Sequence, residues 1–347
     1  MQNSSNSRGR IEINEKVLLF DVNEIYTCPR PSCYLCGSQG KYIYQGLKDR
    51  IFDVQGEWNL KECENPECKL VWMDPMPLEK DIGKVYHTYY THYKNRWKRQ
   101  YRILTIFLIW TMRQISSVLK RITLVRPELK RLNLMYLDKQ KPGRLLEIGC
   151  GSGQRLAQMR ALGWEVEGQE IDPKAAAHAS SKGLIVHLGN LQNLSFSDAL
   201  FDAIIMNHVI EHVHDPVAVL TECYRILKPR GILVVVTPNI ESCGHRHFRS
   251  FWMGLDPPRH LYLFTRKTLR KIAERAGFSK YEVWTTAAKA QVISAGSLDI
   301  KKRGRHGMGV PLKLDIEIMS MFFQLWARAI YIIYPNSGEE CVLKAEK

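Results

Sequence analysis

Two cysteine pairs stand close together near the amino terminus: Cys33-Tyr34-Leu35-Cys36, and Cys63-Glu64-Asn65-Pro66-Glu67-Cys68 about two dozen residues on. Paired thiolates separated by a strand-rich spacer suit a tetrahedral four-sulfur zinc site. The expected Zn2+ ligands are Cys33, Cys36, Cys63 and Cys68, with Cys28 as a competitor for the place of Cys33. Such a site is closed to substrate and therefore structural. A second group is Leu145-Leu146-Glu147-Ile148-Gly149-Cys150-Gly151-Ser152-Gly153. An apolar strand ends in an acidic residue and runs into alternate glycines before a helix. That is where a parallel α/β sheet accepts a nucleotide-like ligand. The dinucleotide pattern needs its third glycine three residues after the second, where this chain has Gln154. Glycines at alternate positions instead let the backbone pass close under a ligand, since no Cβ intrudes. Glu170 closes the next strand, about twenty residues on, where a carboxylate can accept hydrogen bonds from ribose hydroxyls.

The elements that must hold these groups follow from periodicity and punctuation. Residues 1–20 read as a disordered tail, 21–80 as a zinc-ribbon-like domain and 81–140 as a helical linker or cap. Lys141-Pro142-Gly143 then breaks the chain, and 141–288 alternates strand and helix. Strands are expected at 144–148, 165–170, 184–187, 201–206, 231–237 and 281–286, with helices at 153–162, 173–181, 216–227 and 265–276. Repeated βα units imply an α/β fold with a doubly wound, mostly parallel, Rossmann-like sheet. Residues 289–336 leave this alternation, as a Gly- and Arg-rich segment followed by an apolar helix over 314–334. A last strand at 339–345 would make seven, with 289–336 inserted into a terminal hairpin.

Composition narrows the setting. The 347 residues carry a formal charge of +15 and nine cysteines, five of them before residue 70. Cysteine in a cytosolic-looking chain argues against a disulfide framework. The start lacks an apolar signal core, so secretion is not expected. The basic runs 94–102, 120–131 and 301–305 suggest an anionic partner, but no aromatic-rich nucleic-acid module accompanies them. The apolar runs 103–112 and 316–334 read as too short or too interrupted to span a bilayer.

Further along lie Phe201-Asp202-Ala203-Ile204-Ile205-Met206-Asn207-His208-Val209-Ile210-Glu211-His212-Val213 and Leu227-Lys228-Pro229-Arg230-Gly231. With these in place, residues 145–278 resemble the class I S-adenosylmethionine-dependent methyltransferases, in the branch with an E-H-V segment and an L-K-P-x-G turn. The resemblance implies that Glu147, Gly149, Cys150, Gly151 and Gly153 hold the methionine part of S-adenosyl-L-methionine. It places Glu170 on the ribose, Ile171 on the adenine face, Asn190 and Leu191 at the adenine edge, and Asn207 and His208 near the methionine part. Arg230 stands where relatives usually carry glycine. The cysteine-bearing region is similar to the small zinc-binding domain of some sugar methyltransferases.

Methyl transfer is chiefly a matter of positioning the acceptor for in-line attack. An oxygen or nitrogen acceptor also profits from a base near neutral pKa, and His212 and His260 are the candidates. Arg259 is expected to pair with Asp256 or with an acidic group of the substrate. The expected acceptor is a small molecule or a saccharide, lipid-linked or free, met in the cytoplasm or peripherally at an anionic inner membrane face. A zinc-ribbon nucleic-acid-binding methyltransferase and a non-catalytic cofactor-binding scaffold are the alternatives.

Overall fold

The computed structural model describes residues 25–86, Thr111, Gln114, Ser117, Val118, Arg121, 125–307 and 309–347. The expected tail at 1–20, the basic run 94–102 and nearly all of the apolar run 103–112 lie outside the described residues.

The larger sheet contains β6 (Arg144–Ile148), β7 (Glu165–Glu170), β8 (Ile185–Leu188), β9 (Phe201–Asn207), β10 (Leu227–Pro238), β12 (Lys280–Thr286) and β13 (Glu340–Glu346). Its seven strands run in the order β12-β13-β10-β9-β6-β7-β8. The pairs from β10 to β8 are parallel, and β13 is antiparallel to both neighbours. The period of two splits each strand between two cores. Leu145, Ala203, Ile205, Val234 and Val236 enter one core; Leu146, Ile148, Ile204, Met206, Leu233 and Val235 enter the other. This burial on both faces explains the unbroken apolar runs of β9 and β10.

Helices α2 (Gln154–Ala161), α3 (Pro173–Ser180), α4 (Pro216–Ile226) and α6 (Arg266–Arg275) connect the strands. Local chemistry sets their starts. Asp172 and Asp215 accept from the first turns of α3 and α4, each followed by proline, and Thr265 closes a capping box with Thr268 on α6. After β6 the chain moves to β7 and β8, then returns to the other side of β6 with β9. That reversal opens a crevice at the carboxyl ends of β6 and β9.

The amino-terminal region forms its own sheet, from β2 (Gly40–Leu47), β3 (Trp58–Cys63) and β4 (Val71–Met73). Two shorter strands, β1 (Thr27–Cys28) and β5 (Met76–Pro77), pair separately. The expected division at residue 80 is not a clean seam. Strand β11 (Tyr262–Leu263), from the loop region after β10, joins the amino-terminal sheet as the neighbour of β4.

The described part of the cap at 81–140 includes a 3₁₀ helix over Glu79–Tyr86 and helix α1 (Val125–Asn133). Between β10 and β11 runs the short helix α5 (Cys243–Phe248). The Gly- and Arg-rich segment read after residue 289 opens instead with a regular helix, α7 (Ala290–Arg303). Its glycine is interior for a packing reason, since a Cβ on Gly296 would lie 2.1 Å from Met253 Sδ. Gly304, at φ 79°, ends it. Helix α8 (Leu314–Ile333) packs on α7, burying Ile316, Ser320, Phe323, Gln324 and Ala327. By length and composition alone it is also the one described helix apolar enough to cross a membrane, which the sequence reading had not allowed. Strand β13 then completes the hairpin with β12, enclosing the α7–α8 insertion.

Candidate active site

Packing and backbone angle make the glycines of the β6–α2 turn necessary. Gly149, Gly151 and Gly153 have φ of 65°, 52° and 73°. A Cβ on Gly149 would lie 2.5 Å from Val209 Cγ2, and one on Gly153 would lie 2.5 Å from Leu184 Cδ1. Glu170 braces the turn from the end of β7. One carboxylate oxygen accepts from Gly151 N at 2.7 Å, and the other from Ile171 N and Asp172 N at 2.8 and 2.9 Å. Burial raises the Glu170 pKa, while these backbone N–H groups pull it down. Glu147 is buried beside the turn, with Arg155 Nε 3.3 Å from Oε1 and, among the described residues, no hydrogen-bond partner on Oε2. Burial lifts its pKa to about 8 against the pull of Arg155.

A cavity of about 690 Å³ opens over this turn. Gly149, Gly151, Glu170, Ile171, Asn190, Leu191, Asn207, His208, His212 and His260 line it. Glu147, Cys150 and Gly153 are not on its wall. The thiol of Cys150 is buried, which pushes its pKa up to about 12 and leaves it a poor nucleophile at neutral pH. Sequence reasoning missed several wall residues. Ile51, Phe52, Glu79 and Ile82 come from the amino-terminal region, and Met253 and Ile293 from the segments around β11 and α7. No local pattern marks them, because distant chain segments bring them to the cavity. His214 and Asp215, by contrast, lie two and three residues after His212 and were within reach of a motif reading.

Charges alternate across the far wall. His208, at φ 55°, lies between Glu211 Oε1 at 3.2 Å and Glu340 Oε1 at 2.7 Å. Burial works against its charge, but the two carboxylates outweigh burial and hold its pKa at about 9. The Glu211 carboxyl is pulled down to about 2 despite burial, chiefly by His208. Burial and the neighbouring His260 lower His212 to about 4. His212 Nδ1 donates to Arg259 O at 2.9 Å, and His260 Nδ1 donates to Gly254 O at 2.8 Å. Arg259 itself is fully buried. Its guanidinium meets Asp49 in two 2.8 Å bonds, binds Asp256, and covers the Phe52 ring at 4.4 Å. Of the two partners expected for Arg259 it therefore takes the structural one, Asp256, and adds Asp49.

The cysteines converge as well. Sγ atoms of Cys33 and Cys68 are 3.7 Å apart, those of Cys36 and Cys63 are 3.4 Å apart, and all four lie within 4.8 Å of one another. Sulfurs about 2.3 Å from a tetrahedral zinc are separated by roughly 3.8 Å, so this donor set fits the ion. Cys28 is outside the group. Two turns shape the site, Gly37 N donating to Cys33 O and Cys68 N to Asn65 O.

Residues 119–283 match a family model described as a methyltransferase domain. Over 118 residues the chain is 37% identical to a ubiquinone biosynthesis O-methyltransferase of Cereibacter sphaeroides, covering 32% of this chain and 45% of that protein. Over 168 residues it is 32% identical to a probable S-adenosylmethionine-dependent methyltransferase of Mycolicibacterium smegmatis, covering 47% and 60%. The chain thus spans less than two thirds of either relative. A SAM-dependent methyltransferase of Thermotoga maritima, described as a possible histamine N-methyltransferase, superposes with a TM-score of 0.42 at 22% identity, covering 65% of this chain and 97% of that one.

Proposed function

We propose that the chain is a class I S-adenosylmethionine-dependent methyltransferase acting on a small molecule. The observation that carries this reading is the cavity at the carboxyl ends of β6 and β9, walled by Gly149, Gly151 and Glu170 within the stretch that matches the methyltransferase family model. The residues suit the methyl donor. A Cβ at Gly149 would crowd the turn, and Asn207 Oδ1 is buried with no hydrogen-bond partner among the described residues. When bound, S-adenosylmethionine supplies an electrophilic methyl group.

The chain's own part is to bind, orient and keep water out. Glu170 would take the ribose hydroxyls, Ile171 the adenine face, Asn190 and Leu191 the adenine edge, and Asn207 and His208 the methionine end. Glu147, behind the turn and protonated near pH 7 in the donor-free protein, would ionise to meet positive charge brought there. His212 and His260 belong to the acceptor side and govern the proton that leaves it. At about 4, His212 is too acidic to be an efficient base near pH 7, which leaves His260 as the stronger candidate. Apolar Ile51, Phe52 and Ile82 exclude water from the acceptor.

The four thiolates would hold a structural zinc ion. The exposed stripe Met319, Phe322, Trp326 and Ile333 on α8 would rest on an anionic membrane face in the cytoplasm and favour a lipid-linked acceptor, a saccharide among them. Co-sedimentation with anionic but not neutral vesicles checks that point.

Calorimetric titration of the full chain with S-adenosylmethionine and S-adenosylhomocysteine tests the main reading. Binding is expected, with marked weakening in Glu170→Ala. A chain that binds neither compound is no methyltransferase.

A further inference from the structure

The first cysteine knuckle carries more than sulfur. Tyr34 stands between Cys33 and Cys36, and its side chain meets the start of α4. The Tyr34 O–H donates to Asp215 Oδ1 at 2.5 Å, and its oxygen accepts from Val217 N at 3.2 Å. Asp215 in turn accepts from Ala218 N at 2.9 Å. Two of the amides that a helix start leaves unpaired are thus met, one by Asp215 and one by a side chain of the cysteine region. Asp215 also ends the run His212-Val213-His214-Asp215, all four of which line the cavity. We propose that Tyr34 positions this run, and that zinc in the four-thiolate site thereby sets the shape of the acceptor side of the cavity. Both parts rest on the zinc reading of the cysteines and on placing the acceptor at this wall.

The cysteine region is built into the α/β body rather than hung beside it. Cys33, Leu35, Cys63 and Cys68 belong to the same buried cluster as Leu146 of β6, Leu220 of α4 and Leu269 of α6. Helix α6 holds both knuckles by their backbone. Arg275 Nη2 donates to Leu35 O at 2.5 Å, and Lys271 Nζ donates to Glu67 O at 2.6 Å. On the cavity side the Tyr34 and Tyr262 rings lie 5.5 Å apart. Tyr262 O–H donates to His214 O at 3.2 Å, and His214 Nε2 donates to Pro77 O at 2.7 Å. Two successive wall residues, His214 and Asp215, are therefore gripped by β11 and the amino-terminal region.

A tetrahedral ion fixes where its four sulfurs stand. Tyr34, one residue from Cys33 and two from Cys36, then has little freedom of its own. Without the ion the sulfurs lose their common centre, and part of the local folding free energy goes with it. The Tyr34–Asp215 bond depends on distance and angle, so a displaced knuckle weakens it. The donor side behaves differently. Gly149, Gly151 and Glu170 sit on the β6–α2 turn and at the end of β7, and none of the bonds just named reaches them. Zinc occupancy should therefore act on the acceptor side and spare donor binding. By linkage, an occupant that favours the Tyr34-held wall also tightens zinc.

The probe is Zn2+, bound to and then chelated from the full chain without donor. Nuclear magnetic resonance follows two reporters: amide exchange at Val217 for the contact, and the His212 and His214 ring signals for the wall. Tyr34→Phe keeps the ring and the thiolates. With zinc bound, its Val217 amide should exchange about 3-fold to 10-fold faster than in the wild type, and both ring signals should shift. Zinc removal from the wild type should have the same two effects, and in Tyr34→Phe it should add little to either. Affinity for S-adenosylhomocysteine should stay unchanged throughout. A residue that only added stability would lower Tm and leave the ring signals of the folded protein in place. Circular dichroism identifies chains that fold; Asp215→Ser, which keeps a cap on α4, is read at the same rings if Tyr34→Phe does not. Unmoved ring signals in the folded variant, zinc removal that acts equally in both chains, or four thiolates that take up no zinc overturn the coupling. Donor affinity that falls with zinc removal overturns its restriction to the acceptor side. A wild-type chain that binds no donor rejects methyl transfer and leaves the zinc coupling standing.

Discussion

Arg230 shows how a single residue can fit a motif and yet strain the backbone. It occupies φ 65°, where a Cβ is unfavourable, while its N–H is held by Lys347 O at 2.9 Å. Arg230→Gly should therefore raise stability by about 1 kcal/mol, measured by urea unfolding. Gly149→Ala should act in the opposite sense, losing donor affinity as well as stability, since its Cβ would meet Val209 at 2.5 Å. Glu147 gives a pH signature. Its pKa rises from 4.5 to about 8 on burial, so the folded state keeps a proton that the unfolded chain releases. Its contribution is fully present below about 4.5 and falls, by up to about 1.4 kcal/mol per pH unit, as pH rises to about 8. Glu147→Gln should flatten that stretch of the stability–pH curve for the donor-free protein. At this scale the glycine turn and Glu170 were legible, because positive φ and strand-end carboxylates leave local marks. Glu340, Asp49 and Phe52 were not, because each reaches its partner across more than a hundred residues: His208 for the first, Arg259 for the other two.

Among the elements, the strands and helices expected within 144–286 formed to within a few residues at their ends, while the short helix α5 was not foreseen. Helix α7 was not, because Gly296 resembles a break until Met253 is seen against it. Strand β11 is only two residues long and pairs with a strand nearly two hundred positions earlier, which no local periodicity reports. The start of α7 depends on α8. Gln324 accepts from Gln291 N at 3.0 Å and donates to Ala287 O at 2.8 Å while almost fully buried. Gln324→Ala should destabilise the fold by about 1–3 kcal/mol, because both backbone groups lose their partner. Chemical denaturation checks the loss, and Gln324→Leu should recover little of it.

At the scale of the whole molecule, the sequence suggested a zinc-ribbon-like domain at 21–80 separate from the α/β region. The structure joins them. Asp49 and Arg259 are both fully buried and paired, and Ile51 and Phe52 stand on the cavity wall. Asp49→Ala should cost about 1–3 kcal/mol, because the guanidinium loses two buried hydrogen bonds while Asp256 keeps it paired. Chelation of the cysteine site should loosen β2–β4 and β11 together and impair acceptor turnover more than donor binding. Stopped activity with unchanged donor affinity in calorimetry is the expected pattern.

The pairing of β4 with β11 has a consequence for ancestry. The loop that carries Arg259 and the cysteine-bearing sheet are tied to each other by this pairing and by the Asp49–Arg259 ion pair. A lineage that exchanged either one by recombination would receive Arg259 without Asp49, or an edge strand without its neighbour. New acceptor preferences should therefore arise by substitution inside this pair, or by moving both pieces at once.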